Sequence, residues 1–170
     1  MRRAAHTIPA GDDRLDNAPH LGTITLKREE RHRRRIKLQT DQGCDFLLDL
    51  AEATYLPDGS GLELDSGEVV VVRAAPEELL EITAPDDTTL MRITWHIGNR
   101  HTAAEVTGGA IFIQPDHVLA AMVRGLGGVV VEVSKPFEPE GGAYGGHGSL
   151  DSGHHHHGES HGHHHARDPA

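Results

Sequence analysis

The chain has 170 residues, which is enough for one domain of ordinary size or for two small ones. Its formal net charge of -10 argues against nucleic-acid binding, because that affinity comes from clustered Lys and Arg side chains that displace counterions from phosphates. The single cysteine, Cys44, excludes an intrachain disulfide, and we find no signal peptide and no membrane-spanning run, so we expect a cytoplasmic protein.

A small all-β lobe is predicted from residue 22 to about residue 75, inside an N-terminal domain that we place at residues 1–75. Short apolar and β-branched runs, such as Asp45–Leu50 and Val69–Arg73, are separated by segments rich in Asp and Gly. The glycines of these segments supply the positive φ angles that tight turns require.

One segment of this lobe, Lys27–Lys37, is strongly basic. It contains seven basic residues and two acidic ones. Strand alternation would send several of them to one solvated face, and a docking patch for an acidic partner is the alternative.

Residues 76–140 show a different pattern, which starts with a strand at Leu79–Thr83. A helix is predicted to begin at Asp86-Asp87, where carboxylates stabilise free amide groups, and to end at Gly98. Its apolar residues recur at helical spacing: Leu90, Ile93 and Ile97.

The second half of this region is predicted to contain two more strands, a second helix and a final strand. Two short strands, Ala104–Thr107 and Ala110–Gln114, form a hairpin, and a second helix runs from Pro115-Asp116 to Gly127. Val129–Val133 is predicted as a nearly continuous buried strand. The order β-α-β-β-α-β is the ferredoxin-like plan. The predicted fold class is therefore α+β, with an all-β N-terminal domain, a ferredoxin-like domain and a disordered tail.

The tail comprises residues 141–170, of which nine are His and eight are Gly. Too few of these residues are apolar to offset the entropy lost on folding, so a flexible metal-binding tail is predicted. Its histidines are His147, His154, His155, His156, His157, His161, His163, His164 and His165. Imidazole nitrogen binds Ni²⁺, Zn²⁺ and Cu²⁺ readily. A purification tag would be an uninterrupted run, whereas Gly and other residues interrupt this tract.

The folded part offers further histidines. His96 and His101 are five residues apart across the end of the predicted helix, so they do not stack on one helical face. A second copy of the chain could present its own His101, which would form a symmetric two-histidine site. The sequence contains no recognisable catalytic motif. The enzyme alternative, a metallohydrolase with His96, His101 and His117 around zinc, lacks a recognisable general base.

Four spaced motifs precede the His-rich end of the chain: Trp95-His-Ile-Gly-Asn-Arg-His101, Pro115-Asp-His-Val-Leu119, Met122-Val-Arg-Gly-Leu-Gly127 and Pro136-Phe-Glu-Pro-Glu-Gly-Gly-Ala-Tyr144. In this order they resemble the C-terminal half of the UreE family of urease accessory nickel chaperones. The strings Asp45–Leu50 and Gly67–Ala75 also resemble the β domain of that family.

The resemblance implies a protomer with a β lobe similar to a peptide-binding domain and a ferredoxin-like metal lobe that forms a homodimer. It implies that His101 is the interfacial metal ligand and His117 an auxiliary one. Some members carry a further histidine where this chain has Pro115. For His96 we expect a structural role at the helix end.

The resulting hypothesis is a non-enzymatic chaperone that binds nickel and delivers it to urease. By resemblance, its partners are the accessory GTPase UreG and, through it, the urease apoenzyme complex. The alternative is a His-rich protein that stores or buffers nickel or zinc without a dedicated recipient.

Overall fold

The computed structural model describes residues 1–141, which form two β-sheets with a few helices. The elements of the first half are β1 (Arg2–Ile8), α1 (Asp13–Asn17), β2 (His20–Leu26), a 3₁₀ turn (Arg28–Glu30), β3 (His32–Gln39), β4 (Asp45–Tyr55), β5 (Gly61–Leu64) and β6 (Val69–Ala74). Those of the second half are β7 (Pro76–Thr83), α2 (Asp87–Gly98), β8 (Ala104–Val106), β9 (Ile111–Ile113), α3 (His117–Gly125) and β10 (Val129–Pro136). Among these helices none has both the length and the apolar character needed to cross a membrane.

The first sheet has the strand order β2-β6-β5-β1-β4-β3. It is mixed, because β1 is parallel to β4 and β2 is parallel to β6, whereas the other neighbours are antiparallel. Its core side chains are fully buried: Phe46, Leu48, Leu62, Val70 and Val72. The sequence predicts this lobe only from residue 22, whereas the structure adds β1 and α1. Within β1 only Ala4 and Ile8 are buried, so its sequence lacks the alternation that predicts a strand.

The second sheet has the strand order β10-β7-β9-β8, and all its neighbours are antiparallel. Along the chain its elements follow the order β7-α2-β8-β9-α3-β10. Both helices pack on one face of this sheet, where the buried residues include Ile82, Ile93, Ile97, Ile111 and Val123. Glycine is required at the entrance to β10, because a Cβ on Gly128 would lie 2.7 Å from side-chain atoms of both Ile93 and Val123.

The prediction of a nearly continuous buried strand at Val129–Val133 is wrong. β10 is one of the two edge strands of its sheet, and 55% of Val129 and 51% of Val131 are exposed. Val130 packs against the helix-covered core, whereas Val129 and Val131 lie on the opposite face. The uncovered part of the opposite face is limited to the start of the strand, because Val133 further along packs against the buried Leu79, Phe112 and Phe137.

A buried arginine joins the two sheets. Arg31 has no exposed surface, and its guanidinium donates to the carbonyl oxygens of Leu56 and Phe137 and to the carboxylate of Glu138. Tyr55 donates its hydroxyl to the same carboxylate at 3.2 Å, and burial raises the pKa of Tyr55 to about 12, so it remains a donor at neutral pH. These bonds hold the segment after β10 against the first sheet.

Candidate metal centre

Helix α2 positions the central residue of the candidate site. The side chain of Asp86 caps the helix by accepting from the backbone N–H and the hydroxyl of Thr89, at 2.8 and 2.9 Å. These hydrogen bonds stabilise the carboxylate and therefore lower the pKa of Asp86. The helix ends at Gly98, so the predicted start and end are both confirmed.

His101 lies just beyond the end of α2, at the surface. Two tight hydrogen bonds of 3.0 Å close the helix end, from the N–H of Arg100 to the oxygen of Ile97 and from the N–H of His101 to the oxygen of Gly98. His101 has a φ of 52°, and within residues 1–141 it is the one non-glycine residue with positive φ. This left-handed conformation costs roughly 1–2 kcal/mol for a residue with a Cβ.

A glycine would satisfy the backbone at position 101 at lower cost. The presence of an exposed imidazole in this conformation therefore suggests that the side chain, rather than the backbone, is what the position requires. The sequence places His101 at the helix end, but only the backbone dihedral singles it out among the exposed histidines.

His96 has a different environment. It is half-buried, and its ring meets that of Trp95 edge to face, with centroids 5.0 Å apart. Its carbonyl oxygen accepts from the guanidinium of Arg100 at 2.9 Å. These contacts organise the last turn of α2, which is consistent with the structural role that we expect for His96.

The exposed side of α2 carries two large apolar side chains that the sequence analysis did not identify as functional. Met91 and Trp95 are one turn apart, and each is 64% exposed. Large apolar side chains this exposed commonly mark an interaction surface. Their spacing of four residues, out of phase with the buried Ile93 and Ile97, is a signal that helical periodicity could have found.

His117 is the first residue of α3 and is exposed. The preceding Asp116 caps the helix, because one of its carboxylate oxygens accepts from the N–H groups of Val118 and Leu119 at 2.8 and 2.9 Å. The predicted helix start at Pro115-Asp116 is thus correct.

Residues 1–141 contain no group of three or more His, Cys, Asp or Glu side chains arranged to hold a metal ion. A three-histidine zinc site built from His96, His101 and His117 is therefore not preformed in this part of one protomer. The other predicted ligands lie outside the described residues: His147, His154, His155, His156, His157, His161, His163, His164 and His165.

Chemically, the folded part of one protomer offers single, accessible imidazoles and no closed coordination shell. A lone imidazole binds a borderline divalent ion weakly, and a tight site needs further donors from elsewhere. Those donors can come from a second protomer or from the His-rich segment.

Two family profiles match the chain. Residues 4–75 match the N-terminal domain of the UreE urease accessory protein, and residues 77–166 match its C-terminal domain. The chain is 49% identical over 142 residues to the urease accessory protein UreE of a Chelativorans species, an alignment that covers 84% of this chain and 89% of the relative.

Two further relatives carry the same name. The protein of Azorhizobium caulinodans is 51% identical over 139 residues, covering 79% of this chain and 67% of the relative. That of Rhodopseudomonas palustris is 50% identical over 126 residues, covering 74% and 59% respectively. The residues matched by the two family profiles include both lobes and His101.

Proposed function

This chain belongs to the UreE urease accessory protein family, and we propose from that premise that it is a nickel-binding metallochaperone. In this proposal it acts in the cytoplasm and delivers Ni²⁺ to urease while the active site of that enzyme is assembled. Nickel is its cargo, and the chain itself catalyses no reaction.

The left-handed backbone of His101 is the observation that carries the proposal. An exposed imidazole held in a costly conformation at a helix end is ready to bind an ion outside its own protomer. The exposed Met91 and Trp95 on the same helix supply apolar surface for a second copy of the chain. A two-fold axis near the end of α2 would bring two His101 side chains to one ion.

An ion held by two imidazoles keeps most of its coordination positions open. Water or other histidines can fill those positions, and the ligands of a recipient can displace them. We assign the capture of nickel to the tail, with His147 and the clusters His154–His157 and His163–His165 as donors and His161 between them. His117 is an auxiliary ligand in this scheme, and Zn²⁺ and Cu²⁺ are competing ions.

The recipient in this proposal is the urease accessory GTPase UreG, and through it the urease apoenzyme complex. Support for this partner comes from family membership, because the named relatives are accessory proteins of urease.

We further propose three domains with boundaries at residues 1–75, 76–140 and 141–170. The antiparallel order β10-β7-β9-β8 with two helices on one face supports a ferredoxin-like plan for the second domain.

Nickel titration by calorimetry, with the molecular mass followed in parallel, tests the function. The intact chain should bind several ions per protomer, and the chain ending at residue 146 should bind one ion per two protomers. His101→Ala in the shortened chain should remove that ion, whereas His6→Ala, at an exposed histidine of β1, should leave it.

The storage alternative gives a different result. A protein that only buffers metal through its nine tail histidines would lose nearly all binding when the chain ends at residue 146. That outcome, or an unchanged titration of the His101→Ala variant, would contradict the shared site.

A further inference from the structure

β3 is one of the two outer strands of the first sheet, and within the part of the chain that the structure describes it has one strand neighbour. It pairs with β4 and is the last strand in the order β2-β6-β5-β1-β4-β3. Over its eight residues one row of backbone N–H and C=O groups has no strand partner among residues 1–141, and such an edge can accept an extended segment.

The charges of β3 are unevenly neutralised. Arg35 pairs with Asp49 at 3.5 Å and Lys37 pairs with Asp45 at 2.7 Å, both across β4. Within residues 1–141, Arg33 and Arg34 have no carboxylate oxygen within 4.0 Å, so they leave positive charge at one end of the strand. This charge stands out in a chain whose formal net charge is -10.

The pairing of β3 with β4 is interrupted near these two arginines. The register moves from Arg33 opposite Thr54 to Arg35 opposite Asp49, and Arg34 falls at this break. From Arg35 to Gln39 the pairing is regular, and Ile36 is 37% exposed in this stretch. The edge therefore has a regular part that can pair with a backbone and a basic end that can bind carboxylates.

These features restrict the kind of segment that can bind at the free edge of β3. A second copy of β3 would set one strongly basic strand beside another, and like charges across strands are destabilising. An extended segment that is β-branched along its length and acidic at one end satisfies both parts of the edge.

We propose that the free edge of β3 binds an extended acidic segment of a partner protein, with Arg33 and Arg34 contacting its carboxylates. The binding uses no residue of the metal site, so it goes beyond the proposed nickel function and can fail or hold independently of it.

The test is a fluorescence anisotropy titration of the intact protein with a labelled peptide in which a run of glutamates precedes alternating valine and threonine. Arg33→Glu/Arg34→Glu should weaken binding at least about tenfold, because attraction is replaced by like-charge repulsion. The matched control is Arg73→Glu/Arg124→Glu, which makes the same change in net charge at two exposed arginines outside β3.

Several outcomes would overturn the proposal. They are the absence of binding, equal binding of a peptide with lysines in place of the glutamates, and equal loss in the control variant. Equal binding after N-methylation of alternate peptide amides would exclude pairing along the strand edge. Displacement of the peptide by a single-stranded oligonucleotide at the same concentration would assign the arginines to phosphate binding instead. The thermal unfolding curve of each variant establishes that it is folded.

Discussion

The two helices of the second sheet place a histidine in opposite electrostatic environments. His101 follows the carboxyl end of α2, whereas His117 is the first residue of α3. Aligned peptide dipoles give a helix about half a positive charge at its N-terminus and half a negative charge at its C-terminus. A metal cation is therefore favoured beside His101 and disfavoured beside His117, although the carboxylate of Asp116 offsets part of the second effect. The position of an imidazole relative to a helix thus matters as much as its exposure.

The largest expected effect is the loss of nickel affinity on removing the imidazole of His101, with the imidazole of His117 as the comparison. In the chain ending at residue 146, His101→Ala should weaken nickel binding by more than about 100-fold, since loss of even a supporting partner of a ligand costs about 10–100-fold. His117→Ala should change the affinity by less than about threefold, because the helix dipole already opposes a cation there. Calorimetry at matched pH measures both, and equal losses in the two variants would remove the distinction between the helix ends.

A smaller effect concerns the backbone of His101. His101→Gly should raise the free energy of unfolding by about 1 kcal/mol, because glycine adopts a positive φ without a Cβ penalty. His101→Ala keeps the Cβ and should give no such gain. Urea denaturation with a chelator present isolates the backbone effect from metal binding. If the glycine and alanine variants are equally stable, the conformation at position 101 is not strained.

The smallest effect concerns the start of α2. The lowered pKa of Asp86 means that its carboxylate stabilises the fold above its usual pKa of 3.8, and that this contribution is lost as the pH falls through the lowered value. Asp86→Ala should therefore lower the melting temperature at neutral pH and reduce the loss of stability below about pH 4. Thermal melts across the acid range measure this slope. A variant as acid-sensitive as the parent protein would show that the cap is not responsible.

Much of the second sheet could be predicted from local signals. Asp86 and Asp116 mark both helix starts, and Gly98 marks a helix end, because capping depends on residues close in sequence. The burial of β10 could not be predicted, since the strand pattern does not reveal which strand lies at the edge. The contact between Arg31 and Glu138 was also inaccessible, because 107 residues separate the two partners.

For the candidate site, the sequence predicted that His101 lies at a helix end. Its resemblance to a known family implied that His101 binds metal. It did not reveal the positive φ, which depends on how the chain turns from α2 toward β8. The exposure of Met91 and Trp95 depends on which face of α2 the sheet covers. Both features are set by tertiary packing.

The segment after β10 returns to the neighbourhood of His101. The N–H of Glu140 donates to the carbonyl oxygen of Ala104 at 2.8 Å, and Ala104 is three residues beyond His101. His147 follows Glu140 by seven residues, which span at most about 25 Å in any conformation. A short connection of this kind gives a linked group an effective concentration in the millimolar range. For the proposed chaperone, an ion that leaves His101 would therefore meet an imidazole of its own chain far more often than one in bulk solution.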